Sequence, residues 1–202
     1  VGGGVKNADA DSLVREIAEK LNVPCFPTWN ALDIVCSDYS MYGGRIGTYG
    51  GAGRNFGIQN TDLILAIGSR ISGRITGGAP STFIRGAKKY MVDVDEAGLQ
   101  KTLQQLPFDE CILSDAKIFC QIMLEEIERD IAKSGPMPDF NQWVDKVMTW
   151  KKKYDTVTEE MFNPSEFVHP YAFARILSEE MSSRDILVGD CGGNIVVLNH
   201  AF

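Results

Sequence analysis

Apolar side chains recur every three or four residues in two long stretches of the chain, which is the spacing of a helix with one buried face. The first stretch covers residues 9–21, and either Asp9 or Asp11 can cap its start. The second covers residues 115–131 and has apolar positions at Phe119, Met123, Ile127 and Ile131. The pattern therefore predicts a helix in each stretch.

Two continuous apolar runs at residues 62–68 and 88–95 have the length of strands. Such runs are typical of parallel strands that are buried on both faces. A further short strand is predicted at residues 23–28, and Val1 has the character of the last residue of another. The glycine-rich segment 41–57 lacks a period and predicts a loop. Strands that alternate with helices indicate the α/β class, with a doubly wound, Rossmann-like parallel sheet.

The chain changes character near residue 133. Residues 132–140 contain two prolines and a glycine, which is typical of a linker. A helix with an apolar face follows, Pro170 stands near the start of another helix, and residues 184–194 predict a strand, a turn and the first residues of a helix. We therefore predict a central domain, a connecting segment with one helix, and a partial second α/β unit over residues 1–133, 134–166 and 167–202. Both ends fall within predicted elements, so we expect the chain to be a piece of a longer protein.

Composition and charge exclude several classes of function. The 202 residues are 44% hydrophobic and 23% charged with a formal net charge of −7, which is ordinary for a soluble globular protein. No basic stripe is present, so we expect no nucleic-acid partner. No apolar run approaches the ~20 residues of a membrane-spanning helix, so no membrane partner is expected. The five cysteines are scattered, which fits reduced thiols in the cytoplasm, and two histidines are too few for a classical zinc site.

Glycines follow two of the predicted strands, and ligands of parallel sheets bind beyond the carboxyl ends of the strands. Gly2, Gly3 and Gly4 would let backbone amides approach a pyrophosphate, although glycine after a strand is also a common turn residue. The segment 189–194 repeats the strand–turn–helix arrangement and could hold a second diphosphate. Segment 51–57 misses the dinucleotide-binding fingerprint by one residue and precedes a strand.

The loop after the strand at residues 62–68 has P-loop spacing between Gly68 and Gly73. Arg74 and Ile75 stand where that motif needs Lys and Ser or Thr, which excludes a Walker nucleotidase. Asp93 and Asp95 end the next strand, where a carboxylate commonly accepts ribose hydroxyls. A pair of helix N-caps is an equally good reading of these two aspartates.

The sequence contains no residue pattern that is typical of direct catalysis. His169 adjoins Pro170 and is expected to cap a helix, and the sequence offers no Ser-His-Asp set. No obvious general base occurs in residues 1–133. We therefore assign no catalytic residue and no metal ligand, and expect this part of the chain to bind molecules rather than transform them unaided.

Four segments occur in the order found in one enzyme family. They are GRIGTYG (44–50), TDLILAIGSRISGRITGG (61–78), KKYMVDVDEAGL (88–99) and LSDAK (113–117). Together they resemble the central domain of the acetohydroxyacid (acetolactate) synthase-like thiamine-diphosphate enzymes. That family shows G-M-x-G-x-x-G, A-D-L-x-L-x-x-G-x-R-x-x-x-R-x-T-G, D-x-D at a strand end, and G-D. The tail resembles the start of the same family's C-terminal, diphosphate-binding domain, so the resemblance covers essentially the whole chain.

The resemblance implies a three-domain, thiamine-diphosphate-dependent 2-oxo acid carboligase or decarboxylase. An N-terminal domain would carry the glutamate that activates the thiazolium ring, and the C-terminal domain would hold thiamine diphosphate through Mg²⁺. A homodimer or homotetramer would complete the sites. The central domain of this family often holds FAD, whose adenine end would lie near Asp93, Asp95 and Asp115. The other residues implied in binding FAD or a nucleotide are Gly2, Gly3, Gly4, Gly50, Gly68 and Arg70.

The loop around Arg74 resembles the synthase pattern R-F-D-D-R-V-T-G, whose second arginine helps to bind the substrate carboxylate. Arg74 occupies that place, and a guanidinium suits bidentate carboxylate recognition. The two aspartates of the pattern are replaced by Ser72 and Gly73, which leaves room for a 2-oxo acid chemistry other than acetolactate synthesis. In the tail, the first diphosphate-contacting loop of the family matches Asp190, Cys191, Gly192, Gly193 and Asn194.

Two other functions stay open on the sequence alone. One is a non-catalytic flavin- or nucleotide-binding α/β module, against which the diphosphate-type tail argues. The other is a flavin-free structural central domain of a related decarboxylase.

Overall fold

Three parallel strands form the centre of the computed structural model, which describes residues 1–163 and 166–202. They lie in the order β1 (Leu63–Ile67), β2 (Lys88–Asp93) and β3 (Glu110–Leu113). Leu63 stands opposite Lys88, and Tyr90 stands opposite Glu110. The strands predicted at residues 62–68 and 88–95 are thereby confirmed, whereas β3 carries no pattern that predicted it.

Helices precede, connect and follow these strands. Their bounds are α1 (Gly3–Asn7), α2 (Asp11–Leu21), α3 (Ala52–Gln59), α4 (Gly73–Thr76), α5 (Glu96–Gln105), α6 (Ala116–Ser134), α7 (Asn141–Lys153), α8 (Pro170–Glu180) and α9 (Gly193–Ala201). Short 3-10 turns occur at Trp29–Ala31, Pro80–Thr82 and Glu159–Phe162. Within the described ranges, the helices are too short or too polar to cross a bilayer.

Alternate residues of the strands pack into two separate cores. Ile67 and Val92 join the core that α2 and α6 cover, and Ala66 and Met91 join the core that α3 and α5 cover. Side chains of successive strand residues point to opposite faces, so an apolar run buries both faces of the sheet at once. Helices on both faces confirm the predicted α/β class with a doubly wound parallel sheet.

The hydrogen bonding of the sheet continues beyond β1 through the first residues of the chain. The Gly2 amide donates to the Ile67 carbonyl at 2.9 Å. The Val1 nitrogen donates to the Phe26 carbonyl at 2.9 Å, and the Val1 carbonyl accepts from the Thr28 amide at 2.9 Å. In a parallel pair of strands, one residue donates to and accepts from the two residues on either side of the residue that faces it. Val1 and residues 26–28 therefore extend the sheet, as short bonded segments rather than regular strands.

One more segment completes the sheet. Cys25 forms a parallel bridge with Tyr42. The sheet then consists of six segments. In chain order they are residues 1–2, 25–28, 41–43, β1, β2 and β3. In space these segments lie in the order 3-2-1-4-5-6. That is the order of doubly wound, Rossmann-type sheets, which bind ligands where the order reverses. Here the reversal falls between Val1 and β1.

The prediction of a loop throughout residues 41–57 is wrong, because α3 begins at Ala52. A Cβ on Gly53 would come within 2.1 Å of the Trp150 carbonyl oxygen, and one on Gly57 would come within 3.0 Å of the Phe26 ring. These two glycines let α3 lie tightly against α7 and the core. Sequence rules treat clustered glycines as turn residues, whereas these two glycines allow close helix packing.

Other boundaries also differ from the sequence predictions. Helix α6 continues to Ser134, so the linker begins later than residue 132. No strand forms over residues 184–190, because within the described parts of the chain no segment pairs with them. Ala10 occupies the N-cap of α2 without a side-chain bond, so neither Asp9 nor Asp11 caps that helix. The prediction for His169 is confirmed, since its Nδ1 accepts the Tyr171 amide at the start of α8.

A third core joins α8, α9 and the segment that follows α7. Val157, Ala174 and Ala201 form its buried centre. The Tyr171 hydroxyl lies 2.8 Å from Nδ1 of His200 at the edge of this core. Burial, assisted by the positive charges of Arg54 and Arg45, lowers the pKa of His200.

We expect Gly2→Ala to destabilise the fold by about 1–3 kcal/mol, the usual cost of overpacking. The added Cβ would lie 2.1 Å from the Gly68 carbonyl oxygen, which is backbone and must shift. Chemical denaturation measures the free energy of unfolding. Gly73→Ala is the matched control, because a Cβ there meets nothing within 4 Å. Equal stability of the two variants would contradict the close contact.

We expect the free energy of unfolding to fall as the pH drops below about 6.5, the ordinary pKa of histidine. The pKa of His200 is lowered in the folded chain, so the unfolded chain binds the proton first and gains stability as the pH falls. Denaturation at pH values from about 7.5 to about 5.5 measures the slope. His200→Gln removes the titration and should flatten it, and an unchanged slope in that variant would show that His200 is not the cause.

Candidate functional site

The carboxyl ends of the strands bring most of the predicted cofactor-binding residues to one edge of the sheet. The Gly68 amide donates to the Val92 carbonyl at 2.9 Å, and the Ser114 amide donates to the Asp93 carbonyl at 3.1 Å. Together with the Gly2–Ile67 bond, these contacts place the carboxyl ends of residues 1–2, β1, β2 and β3 side by side. The loops that begin at Gly2, Gly68, Asp93 and Ser114 therefore open on the same side of the sheet.

The backbones of the loops after Val1 and after β1 are in contact where the strand order reverses. The Gly4 amide donates to the Gly68 carbonyl at 3.0 Å, and Gly68 has a φ of 59°, which favours glycine. A Cβ on Gly4 would lie 2.8 Å from the Gly68 Cα. The amides of Gly2 and Gly4 are already hydrogen-bonded inside the protein. As donors to a pyrophosphate these two do not fit, and their lack of side chains is explained by the close approach of the two loops.

Two of the three aspartates of this edge bond the local backbone through their carboxylates. Oδ1 of Asp93 accepts the Asp95 amide at 3.0 Å. Asp95 occupies the N-cap of α5, but its side chain makes no capping bond. Asp115 caps α6, since its Oδ1 accepts the amides of Lys117 and Ile118 at 2.8 and 3.2 Å. One oxygen of Asp93 and one of Asp115 are thus committed to the backbone, and the second oxygen of each is the one that a ribose hydroxyl would need.

Arg74 lies on the short helix α4 and is exposed. Its guanidinium carbon stands 5.6 Å from the centre of the Trp29 ring, and Trp29 in turn contacts the Tyr49 ring at 5.4 Å. A cation over an aromatic face is attracted by the ring's charge distribution. Trp29, which itself packs against Tyr49, therefore supports the guanidinium of Arg74 from one side. Sequence reasoning missed Trp29 and Tyr49, because both lie in loops without a period.

Segment 43–51 anchors α4 to the rest of the domain. The Thr48 amide donates to the Arg74 carbonyl at 2.8 Å, and a Cβ on Gly47 would come within 2.4 Å of the same oxygen. Gly50 closes a turn by donating its amide to the Gly47 carbonyl at 2.8 Å. Arg70 is exposed at the other end of the loop after β1, and its carbonyl accepts the Thr102 hydroxyl at 3.2 Å. Gly50 is thus linked to α4 through the turn at Gly47, whereas Arg70 is linked through its carbonyl to α5.

The tail presents the first turn of α9 to solvent. Gly192 is the N-cap with a φ of 123°, and no side chain caps the helix. Oδ1 of Asp190 accepts the Cys191 amide at 2.6 Å. The first amides of a helix lack internal acceptors, and with the helix dipole they favour an anion. This geometry fits a diphosphate at residues 190–194.

The sequence analysis also missed Arg45, which is buried with 8% of its surface exposed. Its guanidinium donates to the carbonyl oxygens of Leu198, Asn199 and Phe202 at the end of α9, the last of these at 2.9 Å. Segment 43–51 therefore holds α4 through Thr48 and α9 through Arg45.

Metal-binding side chains do not converge in residues 1–163 and 166–202, where no three of the His, Cys, Asp or Glu residues form a cluster suited to an ion. These described residues therefore offer no cluster that fits Mg²⁺.

Comparisons with known proteins agree with the architecture. The family model described as "Thiamine pyrophosphate enzyme, central domain" matches residues 1–123. The acetolactate synthase large subunit of Corynebacterium glutamicum is 30% identical over 193 residues, which cover 95% of this chain and 29% of that protein. The probable acetolactate synthase large subunit of Methanococcus aeolicus is 26% identical over 211 residues, which cover 100% of this chain and 34% of that protein. The glyoxylate carboligase of Escherichia coli O157:H7 is 30% identical over 148 residues, which cover 71% of this chain and 23% of that protein.

The fold and the loops at its carboxyl edge define a ligand-binding α/β domain of the doubly wound type. The family model covers more than half of the chain. The chain therefore belongs to the thiamine pyrophosphate enzymes and contains their central domain. It spans about a third of the length of the curated relatives it matches first, 29% and 34%.

Proposed function

We propose that this chain is the central part of a thiamine-diphosphate-dependent 2-oxo acid carboligase or decarboxylase of the acetolactate synthase type. The observation that carries the proposal is the extent of the similarity. It runs past the central-domain match at residue 123 and reaches 95% and 100% of the chain in two acetolactate synthase relatives. A stand-alone nucleotide-binding module would have no need of the diphosphate-type tail, so the enzyme is favoured over that alternative. The proposed division is a central domain over residues 1–133, a connecting segment over 134–166, and the start of the cofactor domain from 167.

In this proposal the tail binds the diphosphate of thiamine diphosphate. The proposed contacts are the exposed start of α9 and the polar loop from Asp190 to Asn194, in which the Asn194 Oδ1 already accepts the Ile195 amide at 2.9 Å. When bound, the cofactor supplies the stabilisation of the carbanion that forms as the 2-oxo acid loses its carboxylate. The chain's own part is to bind and orient the cofactor.

Arg74 is the proposed substrate-binding residue. Within residues 1–163 and 166–202 its guanidinium forms no salt bridge and rests over Trp29, so its charge is available to the carboxylate of a 2-oxo acid. Ser72 and Gly73, which precede it, replace the two aspartates of the synthase pattern. The substrate class is therefore a 2-oxo acid, and a glyoxylate carboligase stands among the relatives beside the acetolactate synthases.

The carboxyl edge of the sheet is the proposed site of FAD. The free carboxylate oxygens of Asp93 and Asp115, with Asp95 beside them, suit the hydroxyls of the adenosine end. Arg70 suits the pyrophosphate, and Gly2–Gly4 and Gly68 shape the same edge by letting the two loops approach closely. A flavin-free central domain is the second candidate, since the Gly2 and Gly4 amides are already bonded internally.

The proposed assembly is a homodimer or homotetramer in the cytoplasm. All five cysteines are free, which suits a reducing compartment.

We expect Arg74→Ala to raise the KM for a 2-oxo acid roughly 10- to 100-fold, the range for loss of a hydrogen bond to a charged group. Turnover of pyruvate or glyoxylate by the protein that carries this chain, with thiamine diphosphate and Mg²⁺ added, measures it. The affinity for thiamine diphosphate should change little. Arg85→Ala, another exposed arginine of the same connection, is the control. An equal loss of both affinities, or an unchanged KM, would count against the carboxylate contact.

We expect the chain to retain FAD after gel filtration, with a flavin absorbance band in the protein peak. Asp93→Ala should lower the retained flavin because it removes a ribose acceptor. Asp62→Ala is the matched control, since Asp62 is exposed at the opposite end of β1. A colourless wild-type peak would favour the flavin-free central domain instead.

A further inference from the structure

A cleft of about 420 Å³ lies between α3, α7 and the ends of α8 and α9. Its volume is within the usual range for small-molecule sites. None of the residues proposed above to bind FAD, thiamine diphosphate or the 2-oxo acid lines it. The charged residues of its wall are Arg45, Arg54, Lys151, Lys152, Asp155 and Arg175.

The charge of this wall is unbalanced. Five of the six charged side chains are cationic, and the one carboxylate, Asp155, is already paired with Arg175 at 3.4 Å. Lys151 donates to the Tyr42 carbonyl at 3.0 Å and lies 4.9 Å from the centre of the Tyr42 ring, neither of which neutralises its charge. Cations that crowd a partly desolvated space repel one another, and a bound anion relieves this repulsion.

Two buried donors in the cleft have no acceptor among residues 1–163 and 166–202. They are Nη1 of Arg54 and Nε of Arg45, and Arg45 is more than nine-tenths buried. A buried donor without an acceptor costs roughly 1–3 kcal/mol, and more when the group is charged. Burial lowers the pKa of Arg54 and, with the charge of Arg54, that of Lys151. These cationic groups converge on a partly buried space, which favours the binding of an anion there.

Glycines of segment 43–51 make room for the Arg54 side chain beside the cleft. A Cβ on Gly44 would come within 2.3 Å of the Arg54 Cγ, and one on Gly51 would lie 2.9 Å from Arg54 Nη1. The backbone thus leaves space for the guanidinium and its stem at both positions.

We propose that this cleft binds a small phosphate-bearing anion, with Arg54 and Lys151 as its principal donors. A phosphate group carries two negative charges and several acceptor oxygens, which suits a converging set of guanidinium and ammonium groups. The ligand is either inorganic phosphate or the phosphate group of a small metabolite. The proposal is independent of the enzymatic function proposed above.

Isothermal titration of the chain with inorganic phosphate and with pyrophosphate, at low ionic strength, tests this site. Wild type should bind one equivalent saturably, and Arg54→Gln should bind roughly 10- to 100-fold more weakly. Arg129→Gln removes the same charge from the exposed face of α6 and should bind like wild type. Equal loss in both variants, or no saturable binding to wild type, would overturn the proposal. Tighter binding of citrate than of pyrophosphate would overturn the assignment to phosphate.

A folding control keeps the test decisive. Arg54 has no acceptor to lose at Nη1, so Arg54→Gln should be at least as stable as wild type without phosphate. Phosphate should raise the melting temperature of wild type and leave that of the variant nearly unchanged. If Arg54→Gln fails to fold, Lys151→Gln is compared with Arg129→Gln in its place. Wild-type affinity of Lys151→Gln for phosphate would then overturn the proposal.

Discussion

The contact between the backbones of Gly2 and Gly68 is the constraint on which the rest of this structure depends. It lies where the order of the sheet reverses, with two loops departing toward opposite faces. A Cβ on Gly2 would overlap the Gly68 carbonyl, so the two halves of the sheet can join here only through glycine. The same joint aligns the carboxyl ends of the strands and so creates the edge at which Asp93 and Asp115 meet.

Segment 43–51 is the second organising element. Its backbone holds the helix of Arg74, Arg45 donates to backbone carbonyls of α9 and Phe202, and its glycines make room for Arg54. One stretch of chain thus connects the proposed substrate arginine, the proposed diphosphate helix and the cationic cleft.

Periodicity predicted the helices α2 and α6, and continuous apolar runs predicted the strands β1 and β2, because burial on a stripe or on both faces leaves a readable pattern. Short strand segments were also predicted at Val1 and residues 23–28, and the structure joins them to the sheet through a few hydrogen bonds. The strand β3 is only four residues long and left no pattern. Two predictions based on glycine were wrong. Gly53 allows tight helix packing and does not mark a loop. The Gly2 and Gly4 amides are bonded inside the protein and are not free for a phosphate.

The residues of the candidate site were likewise only partly predicted from the sequence. Arg74 and the aspartates of the strand ends were found from motifs, since their sequence neighbours are distinctive. Trp29, Arg45 and Arg54 were not found, because their roles come from residues distant in sequence, such as the carbonyls at the end of α9. Long-range contacts of this kind carry no local signal, and only the folded chain reveals them.

The most direct measurement is a map of backbone amide shifts by nuclear magnetic resonance as FAD is added to the chain. A ligand site where the strand order reverses predicts that the largest shifts fall on the loops that follow Val1, β1, β2 and β3, around Gly3, Ser69, Arg70 and Asp95. Shifts at the amino ends of the strands, near Asp62 and Lys88, or no shift along the carboxyl edge, would contradict a ligand site at this joint.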